Sequence, residues 1–157
     1  LLYATGFCGV TLGLARRMLE TFTEQARRRH SKASSNAMST NNVVQRDIAI
    51  MEARLSAARA FLHEAAGQVY DAAVAGTLDV DTRIRLRLAT SHGMSEATEV
   101  SIGCYRGAGT GAILDRGPFE RRFRDAMSAG QHLQAMPGMI EMVGRHLIGV
   151  EDTVRYV

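Results

Sequence analysis

The groups that could move protons or hold metals in this chain are five histidines, sixteen carboxylates and two cysteines. No glutamate is followed three residues later by a histidine, so the paired Glu-x-x-His motif of a di-iron or di-manganese bundle is missing. Cys8 and Cys104 stand far apart, and no cysteine–histidine zinc spacing occurs. Glu96 and Glu99 lie one helical turn apart, a spacing that an ordinary solvated helix face also produces. Arg27, Arg28 and Arg29 form the one basic run. The segment 105–134 is different. It reads Tyr-Arg-Gly-Ala-Gly-Thr-Gly, then Ala-Ile-Leu-Asp-Arg, then Gly-Pro-Phe-Glu-Arg-Arg-Phe-Arg-Asp, and reaches Gln131-His132 through Ala-Met-Ser-Ala-Gly.

The elements that must position these residues are helical. Residues 1–30 contain no proline, and Gly6, Gly9 and Gly13 at helical spacing make a small-residue stripe. Each glycine costs the helix about 0.8–1 kcal/mol against alanine, which close packing by a neighbouring helix or a partner offsets. The arginines at 27–29 complement the negative end of the helix dipole. Residues 31–42 are polar and unpatterned and read as a loop. From Val44 through Ile48, Met51, Leu55, Ala58, Leu62, Ala65 and Val69 to Ala72, apolar residues alternate spacings of four and three. This is a heptad seam on a second helix, 43–75, about 50 Å long, ended by Gly76 as a C′ glycine.

Asp79 is an N-cap for a third helix, with Asp81 in its first turn. Leu86, Gly93, Ala97, Val100 and Cys104 give that helix a seam of mostly small side chains. The short turn after Gly76 makes the second and third helices antiparallel neighbours. Helical character fades through Gly107–Gly111. Gly117-Pro118 opens a fourth helix with proline in its first turn, and Phe119, Phe123, Met127 and Gly130 share a face. Pro137 ends or restarts it, and Ile140, Val143 and Leu147 form the apolar face of a last short helix closed by Gly149. The expected fold is an all-α, antiparallel, up-and-down four-helix bundle in one domain over 1–157.

Composition agrees. The 157 residues are 46% apolar, with two prolines and no tryptophan, enough for one domain with a core. The net charge of +3 is mild, and the basic residues do not follow one face, so a nucleic-acid partner is not indicated. No stretch of 18 apolar residues exists, and a signal peptide's order of charges is missing. With two isolated thiols, a cytoplasmic location is expected. The chain opens Leu1-Leu2-Tyr3, already in helical pattern, and reads as part of something longer.

The segment 105–134 resembles the C-terminal domain of the acyl-CoA dehydrogenase superfamily. It is closest to the type 2 branch, which includes two-component flavin-dependent monooxygenases. In that branch the stretch looks like Tyr-Arg-x-x-Gly-Gly-Ser-Ala, then Ser-Pro-x-x-Arg-x-Phe-Arg-Asp, then Gln-His. The likeness extends upstream through Arg59-Ala-Phe-Leu62 and Arg85-Leu-Arg-Leu-Ala89 with His92. It implies that Arg106, Gly109 and Thr110 touch the flavin nucleotide (FAD or FMN) of a neighbouring subunit, glycine allowing close backbone approach to phosphate. Thr110 stands where a second glycine is usual. One of Arg27, Arg28 or Arg29 could meet a pyrophosphate, although a solvated helix end is the reading favoured for them. Arg124 and Asp125 match the family's Arg-Asp, an adjacent pair read first as architectural, with Arg124 and Gln131 as flavin contacts.

The sharper candidate is His132. Dehydrogenases of this family place a glutamate base just after the equivalent Gln, whereas this chain continues Leu133-Gln134-Ala135-Met136-Pro137 without a carboxylate. Proton abstraction beside a thioester needs a base, and Leu133 cannot serve. The monooxygenase branch carries histidine beside the flavin, where imidazole can hydrogen-bond activated oxygen or accept a phenol proton near neutral pH. His30, His63, His92 and His146 have no such context.

Three functions follow as expectations. The first is the flavin-contacting and oligomerisation domain of a monooxygenase acting on an aromatic or heteroaromatic substrate with reduced flavin from a separate reductase. The second is an acyl-CoA dehydrogenase with its base outside this chain. The third is a non-catalytic helical oligomerisation module. In each case a homodimer or homotetramer is expected, with no membrane partner, and the chain alone is expected to be inactive.

Overall fold

The computed structural model describes residues 2–28 and 37–150. Five α-helices follow one another: α1 (Leu2–Arg28), α2 (Asn42–Val74), α3 (Val80–Ala108), α4 (Glu120–Gly130) and α5 (Pro137–Ile148). Among the described residues no β-strand forms. The polar loop expected over 31–42 is shorter than its composition suggests. Met38–Thr40 make a 3₁₀ turn and Asn42 already belongs to α2, while 31–36 lie outside the described residues, as do Arg29 and His30.

Local chemistry sets the helix ends. The Asn41 side chain accepts from the N–H of Val43 at 2.9 Å and of Val44 at 3.4 Å, satisfying two of the donors that every helix N-terminus leaves open. At the far end, Thr77 N–H reaches Ala72 O at 2.9 Å and Gly76 N–H reaches Ala73 O at 3.2 Å. This is a Schellman motif, and Gly76 supplies its φ of +69°. Asp79 then caps α3, accepting from Thr82 N–H at 2.8 Å. Hydrogen bonding from Thr82 holds this carboxyl below the usual aspartate range.

Side-chain pairings give the direction of each helix. Arg54–Glu96 at 3.5 Å and Arg85–Glu64 at 2.8 Å run α2 antiparallel to α3. Cys8 faces Gly93 and Phe22 faces Gly107, so α1 runs parallel to α3. Tyr105 stacks on Phe123 with centroids 4.2 Å apart, and Gly130 lies against Thr98, so α4 runs back down α3. His146 meets Asp81 at 2.6 Å, which carries α5 on in the same direction. The molecule is an up-down-up-down four-helix bundle whose fourth column is α4 and α5 in series.

The heptad seam of α2 is the core side of that helix: Met51, Leu55, Ala58, Leu62 and Ala65 are buried, and Val44, Ile48 and Val69 pack at its margins. The α3 seam is buried throughout because α3 is the central helix, packed by α1, α2, α4 and α5. Both cysteines belong to this core. Burial pushes each thiol up to about 12, so neither is a nucleophile at neutral pH.

Two further expectations change and a third narrows. The glycine stripe of α1 is not covered by the described residues, a Cβ at Gly6, Gly9 or Gly13 meeting nothing within 4 Å, so of the two expected covers the neighbouring helix is not used. α1 turns its bulkier face inward, burying Cys8, Leu12, Met18, Leu19 and Phe22, because more apolar area leaves water that way. Pro118 precedes α4 instead of entering its first turn. Phe119 is the N-cap, and the first main-chain bond is Phe123 N–H to Phe119 O at 2.8 Å, while the Arg122 guanidinium takes the Pro118 carbonyl. On α5, Met139, Met142 and Val143 are buried, whereas Ile140 is 42% and Leu147 71% exposed. Two overlapping apolar stripes run along that helix, and docking on α3 selected the methionine one.

The packing around glycine predicts opposite outcomes for one substitution. A Cβ at Gly107 would sit 2.5 and 2.8 Å from the buried Phe22 ring, so Gly107→Ala should destabilise by about 1–3 kcal/mol through overpacking. A Cβ at Gly67, about two turns before the end of α2, meets nothing within 4 Å. Gly67→Ala should stabilise by up to about 1 kcal/mol from helix propensity alone. Urea melts of the two variants check the contrast in sign.

Candidate functional site

The candidate site centred on His132 lies where the fourth column breaks. Gln131 N–H bonds Ser128 O at 3.2 Å and His132 N–H bonds Ala129 O at 3.1 Å, the tightened bonds of a helix end. His132 then leaves the helix in an extended conformation (φ −68°, ψ 146°), and Leu133–Ala135 make a single 3₁₀ turn. Met136 is extended because the residue before a proline is excluded from the α region. Pro137 restarts the chain as the first residue of α5, where its missing N–H costs nothing.

This break sets His132 against α1. From α1, Phe7 stacks on the imidazole with ring centres 3.8 Å apart and planes inclined at 26°. Within its own turn, His132 Nδ1 accepts the main-chain N–H of Gln134 at 3.3 Å. Gln134 is itself pinned twice to α3: Ser91 donates its hydroxyl to the Gln134 carbonyl at 3.2 Å, and the Arg87 guanidinium donates to its side-chain oxygen. Arg87 is 1% exposed, and burial lowers its pKa from the ordinary arginine value. Phe7 also lines an open apolar hollow of about 470 Å³ on α1 with Tyr3, Gly6 and Val10.

Other expected site residues lie elsewhere. Arg106, Gly109 and Thr110 sit at the exposed C-terminal end of α3. Gly109 has φ +67°, and the Ala108 carbonyl before it accepts from the Gln25 side chain at 3.1 Å. His132 touches α1 at Phe7 and this end touches it at Gln25, so the two are roughly 27 Å apart at 1.5 Å per residue. No single flavin ring contact joins them within one chain. Arg124 and Asp125 do not pair with each other. Arg124 binds Glu120 at 2.6 Å and Asp125 meets Arg121 at 3.8 Å, both along the exposed side of α4. Gln131 is exposed at the end of α4, adjoining His132. Arg27 and Arg28 both reach Glu24 on the surface, at 3.7 and 2.5 Å, as a solvated helix end does. Glu96 is occupied by Arg54. Among the described residues, no group of three or more metal-ligating side chains converges, and no helix is long and apolar enough to cross a membrane.

Phe7, Arg87, Ser91 and Gln134 were not legible as site residues. A signal existed for Arg87. It lies two turns after the Asp79 cap on a helix whose small residues allow packing on several sides, so an arginine there cannot always reach water. Choosing Arg87 over Arg83 or Arg85 required knowing where α4 and α5 dock.

A helical bundle with its fourth column broken at a Gln-His pair, and a glycine-capped α3 leading into it, defines the class. The chain belongs to the acyl-CoA dehydrogenase C-terminal domain family, whose sequence profile matches residues 5–137. Among curated relatives, it is 32% identical over 124 residues to indole-3-acetate monooxygenase of Pseudomonas putida, covering 78% of this chain and 32% of that protein. It is 28% identical over 155 residues to the oxygenase component of p-hydroxyphenylacetate 3-hydroxylase of Acinetobacter baumannii, covering 95% of this chain and 36% of that one. The fold superposes on XiaF from Streptomyces sp., solved in complex with FADH2 and glycerol, with a TM-score of 0.90 at 20% identity over 98% of this chain and 40% of that one. The chain thus spans about a third of the length of the curated relatives it matches.

Proposed function

We propose that this chain is the C-terminal domain of a flavin-dependent monooxygenase acting on an aromatic or heteroaromatic substrate, with reduced flavin delivered by a separate reductase. The observation that carries the reading is His132, stacked on Phe7 beside an apolar hollow, with no carboxylate from 131 to 137. A dehydrogenase of this family needs a base for its thioester. The exposed Leu133 is not one. Two relatives that match most of this chain are named as a monooxygenase and a hydroxylase, which supports the same choice.

The residues present fit a flavin nucleotide. The exposed Arg106 guanidinium and Thr110 hydroxyl flank Gly109, where a missing Cβ leaves open space for phosphate oxygens. The Phe7–His132 face and its hollow suit a flat ring. Because these surfaces are far apart on one chain, Arg106, Gly109 and Thr110 would serve the flavin of a neighbouring copy, and a homodimer or homotetramer is part of the proposal. When bound, the reduced flavin supplies two electrons to O₂, so that one oxygen atom enters the substrate and the other leaves as water. His132 would hold or transfer a proton at the reacting oxygen, Phe7 would keep water from one side of its ring, and the hollow would orient the substrate.

The test is made on the full-length enzyme with reduced FAD or FMN, ¹⁸O₂ and a panel of phenols and indoles. One labelled oxygen atom in the product is expected. Anaerobic bleaching of the oxidised flavin by an acyl-CoA, without hydroxylated product, overturns the reading in favour of a dehydrogenase. The isolated 157-residue chain should bind FAD or FMN only weakly, because both surfaces are open to solvent on this chain. Fluorescence quenching that gives a submicromolar Kd contradicts this.

A further inference from the structure

We infer that Arg87 is a positioning residue for His132, fixing it through Gln134 as the Nε2–H tautomer with its ring held against Phe7. A neutral imidazole carries one proton, and the hydrogen bond made by one nitrogen decides which nitrogen keeps it. Here Nδ1 accepts from the Gln134 N–H at 3.3 Å, so the proton resides on Nε2. That arrangement depends on the Gln134 peptide staying in place on a 3₁₀ turn of three residues, too short to hold itself. Two bonds from α3 hold it: the Ser91 hydroxyl on the Gln134 carbonyl, and the Arg87 guanidinium on its side-chain oxygen. Arg87 is the stronger anchor, since a hydrogen bond from a charged donor exceeds one from a hydroxyl.

Burial of this arginine points the same way. Taking a guanidinium from water is costly, and a surface arginine on α3 would avoid that cost. At 1% exposure, on the central helix that the other four pack against, its planar donors form a reference from which a loop can be located. The histidine is then set by two contacts from α3 to Gln134, by the Gln134 N–H, and by one aromatic face from α1. Its Nε2–H is left as the one ring donor. For the monooxygenase this means a proton donor of fixed direction at the oxygen being transferred; that consequence rests on the function proposed above, whereas the tautomer does not.

The experiment uses the full-length protein labelled with ¹⁵N-histidine, in which His132 signals are assigned by their loss in His132→Gln. In the wild type, the Nδ1 shift should be that of an unprotonated nitrogen and Nε2 that of a protonated one. Arg87→Met, which keeps the volume without the donors, should give a mixture of tautomers. It should also lower the ratio of hydroxylated product to oxygen consumed, by about the tenfold to a hundredfold that loss of an outer hydrogen-bond partner costs metal-bound histidines. Gln134→Glu, with Arg87 in place, keeps both the main-chain N–H and an acceptor for the guanidinium and should retain the single tautomer. If Arg87→Met does not fold, Gln134→Ala carries the same expectation. A folded Arg87→Met or Gln134→Ala protein that retains the pure Nε2–H tautomer overturns the proposal. An intact tautomer network in an enzyme that transfers no oxygen leaves it standing and removes the monooxygenase reading instead.

Discussion

On the proposed monooxygenase function, His132→Ala in the full-length protein should still bind reduced flavin and consume O₂, but release hydrogen peroxide in place of hydroxylated product. A positioned general acid or base contributes about 10²–10⁴-fold to rate, so hydroxylation should fall by that order while flavin affinity changes little. The separation is expected because the main-chain bonds at the break, His132 N–H to Ala129 O and Ala135 N–H to His132 O, survive the substitution. What is lost is the Phe7 stack and the acceptor for the Gln134 N–H. Measured side by side, the peroxide yield, product yield and Tm distinguish a chemical role from a structural one. Unchanged hydroxylation in a normally folded variant removes His132 from the mechanism.

Phe22→Ala should do the reverse, with a large loss of stability and little change in the fraction of turnovers that yield product. Phe22 is 2% exposed, and its ring fills the space that Gly107 leaves on α3. Truncating a buried phenylalanine costs about 3–5 kcal/mol, against a total stability of about 5–15 kcal/mol for a domain. The site at His132 lies more than two helical turns away along α1, so its geometry should persist in the fraction that stays folded. A double-mutant cycle tests the contact itself. Gly107→Ala, destabilising alone, should become neutral or favourable once Phe22 is replaced by alanine, because the new methyl group then enters the vacated space. If the two effects simply add, the Phe22–Gly107 contact is not what makes alanine costly there.

Stability should also fall in acid. The Asp79 carboxyl is held low by Thr82, and that of Glu52 by its bond to Arg16. Folded-state values below the unfolded ones mean that both contributions are present at neutral pH, above the unfolded carboxylate range, and are lost as pH falls through the depressed folded values. Both groups lie near the surface, so the effect should be modest. It should shrink in the Asp79→Asn and Glu52→Gln variants, as read from the slope of Tm against pH.

The helices were legible because their signals are local. The 44–72 heptad, the Gly76 stop and the Asp79 cap act within one or two turns, so Asn42–Val74 and Val80–Ala108 emerge within a residue or so of the expected spans. The resemblance carried by residues 105–132 likewise placed His132 in a distinctive motif without any structure. Residue types alone did not decide which of two apolar stripes on the last helix docks, and Ile140 and Leu147 lost to Met139 and Met142 when that helix settled on α3. Nor could they indicate that the α1 glycines would stay uncovered, because a helix with two apolar faces is oriented by its neighbours. The environment of His132 is the clearest case. Phe7, Ser91, Arg87 and Gln134 come from three separated parts of the chain, and they converge only because α1 and α3 run parallel while the fourth column breaks between them. Sequence determined the helices and the histidine; the packing of helices, which depends on contacts distant along the chain, decided what holds that histidine in place.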